Sequence, residues 1–228
     1  MPSYYPVFLN LQDRRCVVIG GGDVAERKVL ALRDCGARVT LVSPDVTPTL
    51  QRLADENALE LRRRAYQAGD LAGAWLAIAA TDDTAVNQAV QREAEERGIF
   101  VNVVDVSPLC SFIAPSIVRR GEITLAVSTG GVGPALARHI REKLERVVGP
   151  EYAGLARVVA DARKALHARG KRASPERWRE CLNDSLLELV RQERLDEARD
   201  HLLQDLLREE GRRRLVTSAR PGPMGDIP

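Results

Sequence analysis

Long hydrophobic runs are missing from this sequence. No apolar stretch approaches the ~18 residues that mark a membrane span. The opening MPSYYPVFLNLQDR has no basic region ahead of an apolar one, so nothing there reads as an export signal. These two absences predict a soluble, unexported protein of the cytoplasm. Cysteine is sparse and scattered: Cys16, Cys35, Cys110 and Cys181 include no C-x-x-C pair, which argues against a disulfide framework and fits reduced thiols. His139, His167 and His201 include no pair at metal-ligand spacing, so no fixed metal site is expected. An excess of charge is also lacking. With 34 Lys+Arg against 32 Asp+Glu, nothing in the bulk charge asks for nucleic acid or an anionic membrane as partner. There is no internal repeat. At 228 residues the chain can bury a core without disulfide or metal staples, and two or three modules are expected.

What is present is organised around RCVVIGGGDVAERKVLALRDCG, residues 15 to 36. The apolar run Cys16 to Ile19 suits a buried parallel strand and leads straight into Gly20, Gly21 and Gly22. A helix follows, with Ala25, Val29 and Leu32 on one face and Gly36 where a left-handed cap would end it. Gly20-x-Gly22-x-x-Ala25 is the alanine form of the dinucleotide fingerprint. Gly20 permits a tight turn, Gly22 lets backbone N–H groups approach a pyrophosphate, and Ala25 lets helix and strand pack closely.

The remaining elements extend the same scheme. Tyr4 to Leu11 reads as an extended piece packed at the sheet edge. Arg38 to Val42 is a second strand ending in Ser43-Pro44-Asp45, and Thr49 to Asn57 a short helix. Leu59 to Arg63 is a short exposed strand. An acidic residue at the end of strand two usually takes the ribose hydroxyls, yet Ser43 stands there and Asp45 lies two residues on. No arginine stands at that strand end to meet a 2′-phosphate, so NAD is expected over NADP. Trp75 to Ala80 is an apolar strand ending in Thr81-Asp82-Asp83, before a helix to about Arg97 closed by Gly98. Phe100 to Val104 is another, ending at Asp105. Strands alternating with helices predict an α/β, Rossmann-like, doubly wound parallel sheet with ligands beyond the carboxyl ends of the strands.

From Ser111 the period changes. Phe112 to Val118 and Ile123 to Val127 read as a hairpin, with Pro115 demoting the first strand to an edge. Ser128 to Pro134 is a second glycine-rich turn onto a helix running from about Ala135 to Val148, and so a second candidate anion site. Leu155 to Ala168, Pro175 to Arg191 and Asp196 to Glu210 read as helices. The tail after Gly211 has too little apolar content to pack and is expected to be disordered.

Five motifs in this order resemble the precorrin-2 dehydrogenase/sirohydrochlorin ferrochelatase family, which also forms the N-terminal module of siroheme synthase. They are VVIGGGDVAERK (residues 17–28), WLAIAATDD (75–83), VNVVD ending at Asp105, SFIAPSIV (111–118) and AVSTGGVGPALAR (126–138). The resemblance covers about residues 4 to 150; the helical remainder matches in length and character more than in motif. It implies oxidation of precorrin-2 to sirohydrochlorin with NAD as hydride acceptor, and in many members ferrous iron insertion to give siroheme. It also implies a homodimer and a helical domain roofing the cleft. No methyltransferase domain follows, so a standalone enzyme is expected.

The expected division is an NAD-binding Rossmann domain (1–113), a small α+β dimerisation segment (114–148), a C-terminal helical domain (149–212) and a tail (213–228). Cofactor contacts are expected from Gly20, Gly21, Gly22, Asp23, Val24, Ser43, Pro44, Asp45 and Thr81. Substrate contacts are expected from Arg119, Arg120, Ser128, Thr129, Gly130, Gly131 and Arg138, because a substrate with eight carboxylates calls for cations and backbone donors. Thr129 departs from members with serine there; the hydroxyl survives. Asp105 is the candidate general acid/base: the family places its proton-moving aspartate at this VVD position, and an aspartate at an apolar strand end is expected to be only partly solvated. Two other readings of the same residues are a dinucleotide-sensing module without catalysis and an NAD-dependent dehydrogenase of another substrate.

Overall fold

The computed structural model describes residues 4–208. Five parallel strands, β1 (Arg15–Ile19), β2 (Arg38–Val42), β3 (Glu60–Arg62), β4 (Leu76–Ala79) and β5 (Phe100–Val103), lie in the order β3-β2-β1-β4-β5. β1 is central, pairing with β2 from Arg15↔Arg38 to Ile19↔Val42 and with β4 from Cys16↔Leu76 to Ile19↔Ala79. Alternation along each strand sends side chains to two cores. Cys16, Val18, Val39, Leu41 and Ile78 face α1 (Asp23–Asp34) and α2 (Pro48–Asp55). Val17, Ile19, Ala77, Val101 and Val103 face α3 (Thr84–Glu96) and the segment Leu71–Ala74. The doubly wound sheet expected from the alternating pattern is the fold observed.

The crossover from β3 to β4 has no helix, and two carboxylates hold it instead. Asp70, 3% exposed, accepts from Arg62 at 3.0 Å, from both Arg64 Nη atoms at 2.7 Å and from the Gln67 N–H at 2.9 Å. Glu93 on α3 accepts from Tyr66, from the N–H groups of Gly69 and Leu71, and from Arg97. The Arg64 hydrogen bonds, joined by those from Gln67 and Arg62, outweigh burial and hold the Asp70 carboxyl down at about 2.

The described residues divide into two units, 4–115 with 128–134 and 116–127 with 135–208. The second contains the hairpin of β6 (Ser116–Arg120) and β7 (Ile123–Val127), paired from Ser116↔Val127 to Arg120↔Ile123, and most of α4 (Pro134–Val147). A four-helix cluster follows: α5 (Glu151–Ala168), α6 (Pro175–Cys181), α7 (Asp184–Arg191) and α8 (Leu195–Leu207). Val158, Ala162, Leu186, Leu202 and Leu206 form its core. α5 also packs on the hairpin, so residues 114–148 do not form a body of their own.

Three local expectations are corrected. Tyr5, Val7, Phe8 and Leu9 are exposed outside any strand, and within residues 4–11 only Leu11 is buried. Phe112 to Pro115 is not strand: the N–H groups of Ser111 and Phe112 both turn to Val101 C=O, and pairing with β7 begins only at Ser116. The single helix expected over residues 175–191 is two, because Asn183 leaves the helical conformation and caps α7, accepting the Leu186 N–H at 3.0 Å. The disordered tail expected after Gly211 lies outside the described residues. No helix among the described residues is long and apolar enough to cross a membrane.

The clamp on Asp70 has a pH signature. Its folded pKa of about 2 lies below the ordinary aspartate value, so the stabilisation is present above about pH 4 and is lost as pH falls toward 2. Asp70→Asn should cost about 1–2 kcal/mol at pH 7, an amount reduced by the partial exposure of both arginines. Denaturant midpoints of wild type and variant should draw together as pH falls from about 4 and converge only below about pH 2.

Candidate functional site

The turn between β1 and α1 is built by close approach. At Gly20, with φ of +108°, an added Cβ would strike the carbonyl of Ala80 at the end of β4. At Gly21 it would strike the carbonyl of Asp45 and come within 2.8 Å of Ser43 Oγ. Backbone bonds lock the same junction: Gly20 N–H to Val42 C=O at 3.0 Å, Ala80 N–H to Ile19 C=O at 2.8 Å and Thr47 N–H to Gly21 C=O at 3.0 Å. Gly22 differs. Its φ of −81° suits any residue, and an added Cβ would meet no protein atom within 4 Å.

The protein itself therefore requires glycine at 20 and 21 and leaves the space at Gly22 open. Gly22 is also the N-cap of α1, with no side chain capping the helix, so the first-turn N–H groups, beginning at Asp23 and Val24, have no side-chain acceptor at that end. An open space in front of uncapped, oriented donors fits a pyrophosphate. Asn87 supports the same reading on the neighbouring strand end. Its Nδ2 donates to Thr81 C=O at 2.9 Å, while its buried Oδ1 is the one buried side-chain N or O atom without a partner among the described residues.

The other expected cofactor residues divide by role. Ser43 is buried and donates to Asp45 C=O at 2.6 Å, so its hydroxyl shapes the β2 turn; Asp45 is exposed. Thr81 accepts the Asp83 N–H at 3.1 Å, and Asp83 caps α3 through Ala85 and Val86. At Pro44, Arg63, just past β3, donates to the carbonyl at 3.3 Å. The next strand thus carries an arginine to the end of β2, where the sequence along β2 itself shows none.

At the end of β5, Val106 N–H bonds to Val103 C=O at 3.2 Å, and Asp105 takes a φ of +61° within that turn. Asp105 is exposed, not the partly solvated group expected of a strand end, because the turn lifts it away from the sheet. Lys28 on α1, half buried, has its ammonium weakened by burial and by Arg27, with Asp105 and Cys110 favouring the charged form. No spacing in the sequence relates Lys28 to Asp105; only the packing of α1 on the sheet does.

The second glycine turn belongs to the same unit. Thr129 Oγ1 donates to Gly133 C=O at 3.1 Å and accepts its N–H at 3.2 Å, while Ser128 Oγ accepts the Gly130 N–H at 3.1 Å. Gly130 and Gly131 both have positive φ, and a Cβ on Gly131 would lie 3.6 Å from Ser107 Oγ, two residues past Asp105. Arg119, Arg120 and Arg138 belong to the other unit. The Arg120 guanidinium is engaged by the carbonyls of Val148, Arg119 and Glu145, a cap on the end of α4 rather than the substrate group expected. Arg119 and Arg138 are exposed.

Comparison with known proteins matches this architecture. Residues 7–116 match a family described as "Putative NAD(P)-binding", and residues 120–146 one described as "Sirohaem biosynthesis protein central". A siroheme synthase of Methylobacillus flagellatus is 42% identical over 208 residues, covering 90% of this chain and 44% of that protein. One of Citrobacter koseri is 49% identical over 152 residues, covering 67% and 33%. The chain thus spans less than half the length of these curated relatives. Among solved structures, "SirC, precorrin-2 dehydrogenase" superposes with a TM-score of 0.70 at 26% identity, covering 86% of this chain and 99% of that one. With the two matches following one another along the chain and 86% of it superposing on SirC, this chain is similar in sequence to the N-terminal part of siroheme synthases and in fold to the precorrin-2 dehydrogenase SirC.

Proposed function

We propose that this chain catalyses the NAD-dependent oxidation of precorrin-2 to sirohydrochlorin. The observation that carries the proposal is the open, uncapped turn at Gly22, which the protein's own packing does not need, on the same sheet as the exposed turn of Asp105. Bound NAD supplies the acceptor for the hydride that leaves the substrate. Gly20 and Gly21 hold the loop, the first turn of α1 would hold the pyrophosphate, and Ser43 to Asp45 with Thr81 would hold the ribose.

The oxidation releases a hydride and a proton, and Asp105 is the group assigned to take the proton. Ser128 to Gly131, on the same unit as Asp105, would receive substrate carboxylates through their hydroxyls and backbone donors. Asp105 is also the natural acceptor for pyrrole N–H protons when ferrous iron enters as a substrate. The exposed residues Leu136, Ile140 and Val147 of α4, with Ile117 of β6, support a homodimer that covers them. The four free thiols support a reducing, cytoplasmic setting.

Three outcomes test this reading. Gly22→Asp should keep wild-type thermal stability and lose NAD binding by titration calorimetry, whereas Gly21→Ala should lower the melting temperature; NADP, titrated in parallel, reads what Arg63 contributes. Asp105→Asn should keep its melting temperature, since Asn tolerates the left-handed conformation, and should lower precorrin-2 oxidation ~10²-fold. The same assay continued with sirohydrochlorin and ferrous ion scores iron insertion, and a sensing module would show no oxidation at all. Light scattering at micromolar concentration should give the dimer mass, and Ile140→Asp should shift it to monomer.

A further inference from the structure

The turn that carries Asp105 is stitched by a thiol. Asp105 occupies the third position of the turn Val103–Val106 with φ of +61°, where glycine or asparagine is favoured. A residue with a Cβ is less favoured there than glycine, so this backbone conformation is held by its surroundings. Cys110 Sγ lies 3.2 Å from Val103 N, whose N–H it accepts. It also lies 3.2 Å from Val103 O and 3.4 Å from Val106 O, two carbonyls to which its single S–H is offered. Burial pushes the Cys110 thiol up, so the proton needed for donation is present at neutral pH.

The thiol is itself fixed from behind. Asn102, buried on β5, has its Nδ2 3.5 Å from Cys110 Sγ and donates to Phe112 C=O at 3.1 Å. Ser111 Oγ accepts the Val101 N–H at 2.7 Å. Residues 110 to 112 are thereby laid along β5, and the thiol closes the loop from Val103 to Val106 on either side of Asp105.

We propose that Cys110 is a positioning residue for Asp105, fixing the left-handed turn through its hydrogen bonds to the backbone of Val103 and Val106. It has no part in the chemistry as nucleophile or ligand. The proposal rests on the reading of Asp105 as the proton acceptor. Filling space beside Val103 is the competing role, and hydrogen-bonding capacity separates the two, because serine is smaller than cysteine yet keeps a donor and an acceptor.

The experiment compares Cys110→Ala and Cys110→Ser in precorrin-2 oxidation and in NAD titration. Cys110→Ala should lower kcat about 10-fold, the scale of one or two lost hydrogen bonds, with NAD affinity unchanged; Cys110→Ser should recover most of the loss. In an Asp105→Ala background, Cys110→Ala should cost nothing further, because a group acting through Asp105 has nothing left to position. Equal losses for alanine and serine, or an undiminished cost in that background, would overturn the proposal. Amide hydrogen exchange at Val103 and Val106 reads the turn without turnover. Faster exchange in Cys110→Ala, restored in Cys110→Ser, is expected, and unchanged exchange overturns the proposal. If Asp105→Ala keeps full activity, the assignment of Asp105 fails and the exchange measurement still decides whether the thiol holds the turn.

Discussion

Backbone-to-backbone contact at the first glycine turn is the constraint on which the site depends. Gly20 lies against the end of β4 and Gly21 against the turn leaving β2, so three strand ends meet where no side chain fits. The central strand is thereby set in register with both neighbours at the edge where a ligand binds. Any Cβ there must push strands apart, and a packed core resists such a displacement. The open position at Gly22 follows from the same crowding: once its two predecessors have fixed the path of the chain, α1 begins with its donors facing outward.

Much of the sheet was legible because period and punctuation agree. Cys16 to Ile19 and Leu76 to Ala79 are continuous apolar runs buried on both faces, and Gly36 and Gly98 take the positive φ expected of helix ends. What stayed hidden depended on partners distant in sequence. Tyr4 to Leu11 is apolar enough to suggest packing, yet no strand offers it an edge. Asn183 is an ordinary capping residue whose force shows only when the helix breaks at it. Arg63 reaches Pro44 because β3 lies parallel beside β2, and Lys28 meets the field of Asp105 because α1 packs on the sheet; neither relation leaves a spacing to read.

The site was legible unevenly for the same reason. Glycines announce a backbone path, so Gly20 to Gly22 could be assigned from the chain alone. Asp105 was placed by resemblance, while its exposure and left-handed backbone are properties of the turn. Arg120 is chemically suited to carboxylates, but the unsatisfied carbonyls at the end of α4 are closer and take it first. Cys110 carried no role in the sequence beyond that of one more scattered, reduced thiol; its bonds to Val103 and Val106 distinguish it.

The helix-free crossover between β3 and β4 bears on how the first unit assembles. A helix forms from local contacts, whereas Asp70 and Glu93 gather donors from Arg62 to Arg97, so this segment gains little until strands on both sides of β1 are already in place. Its closure belongs to a late stage of folding. Because Asp70 and Glu93 are buried, added salt screens the pairs that hold the crossover less than it screens the exposed pairs elsewhere on the surface.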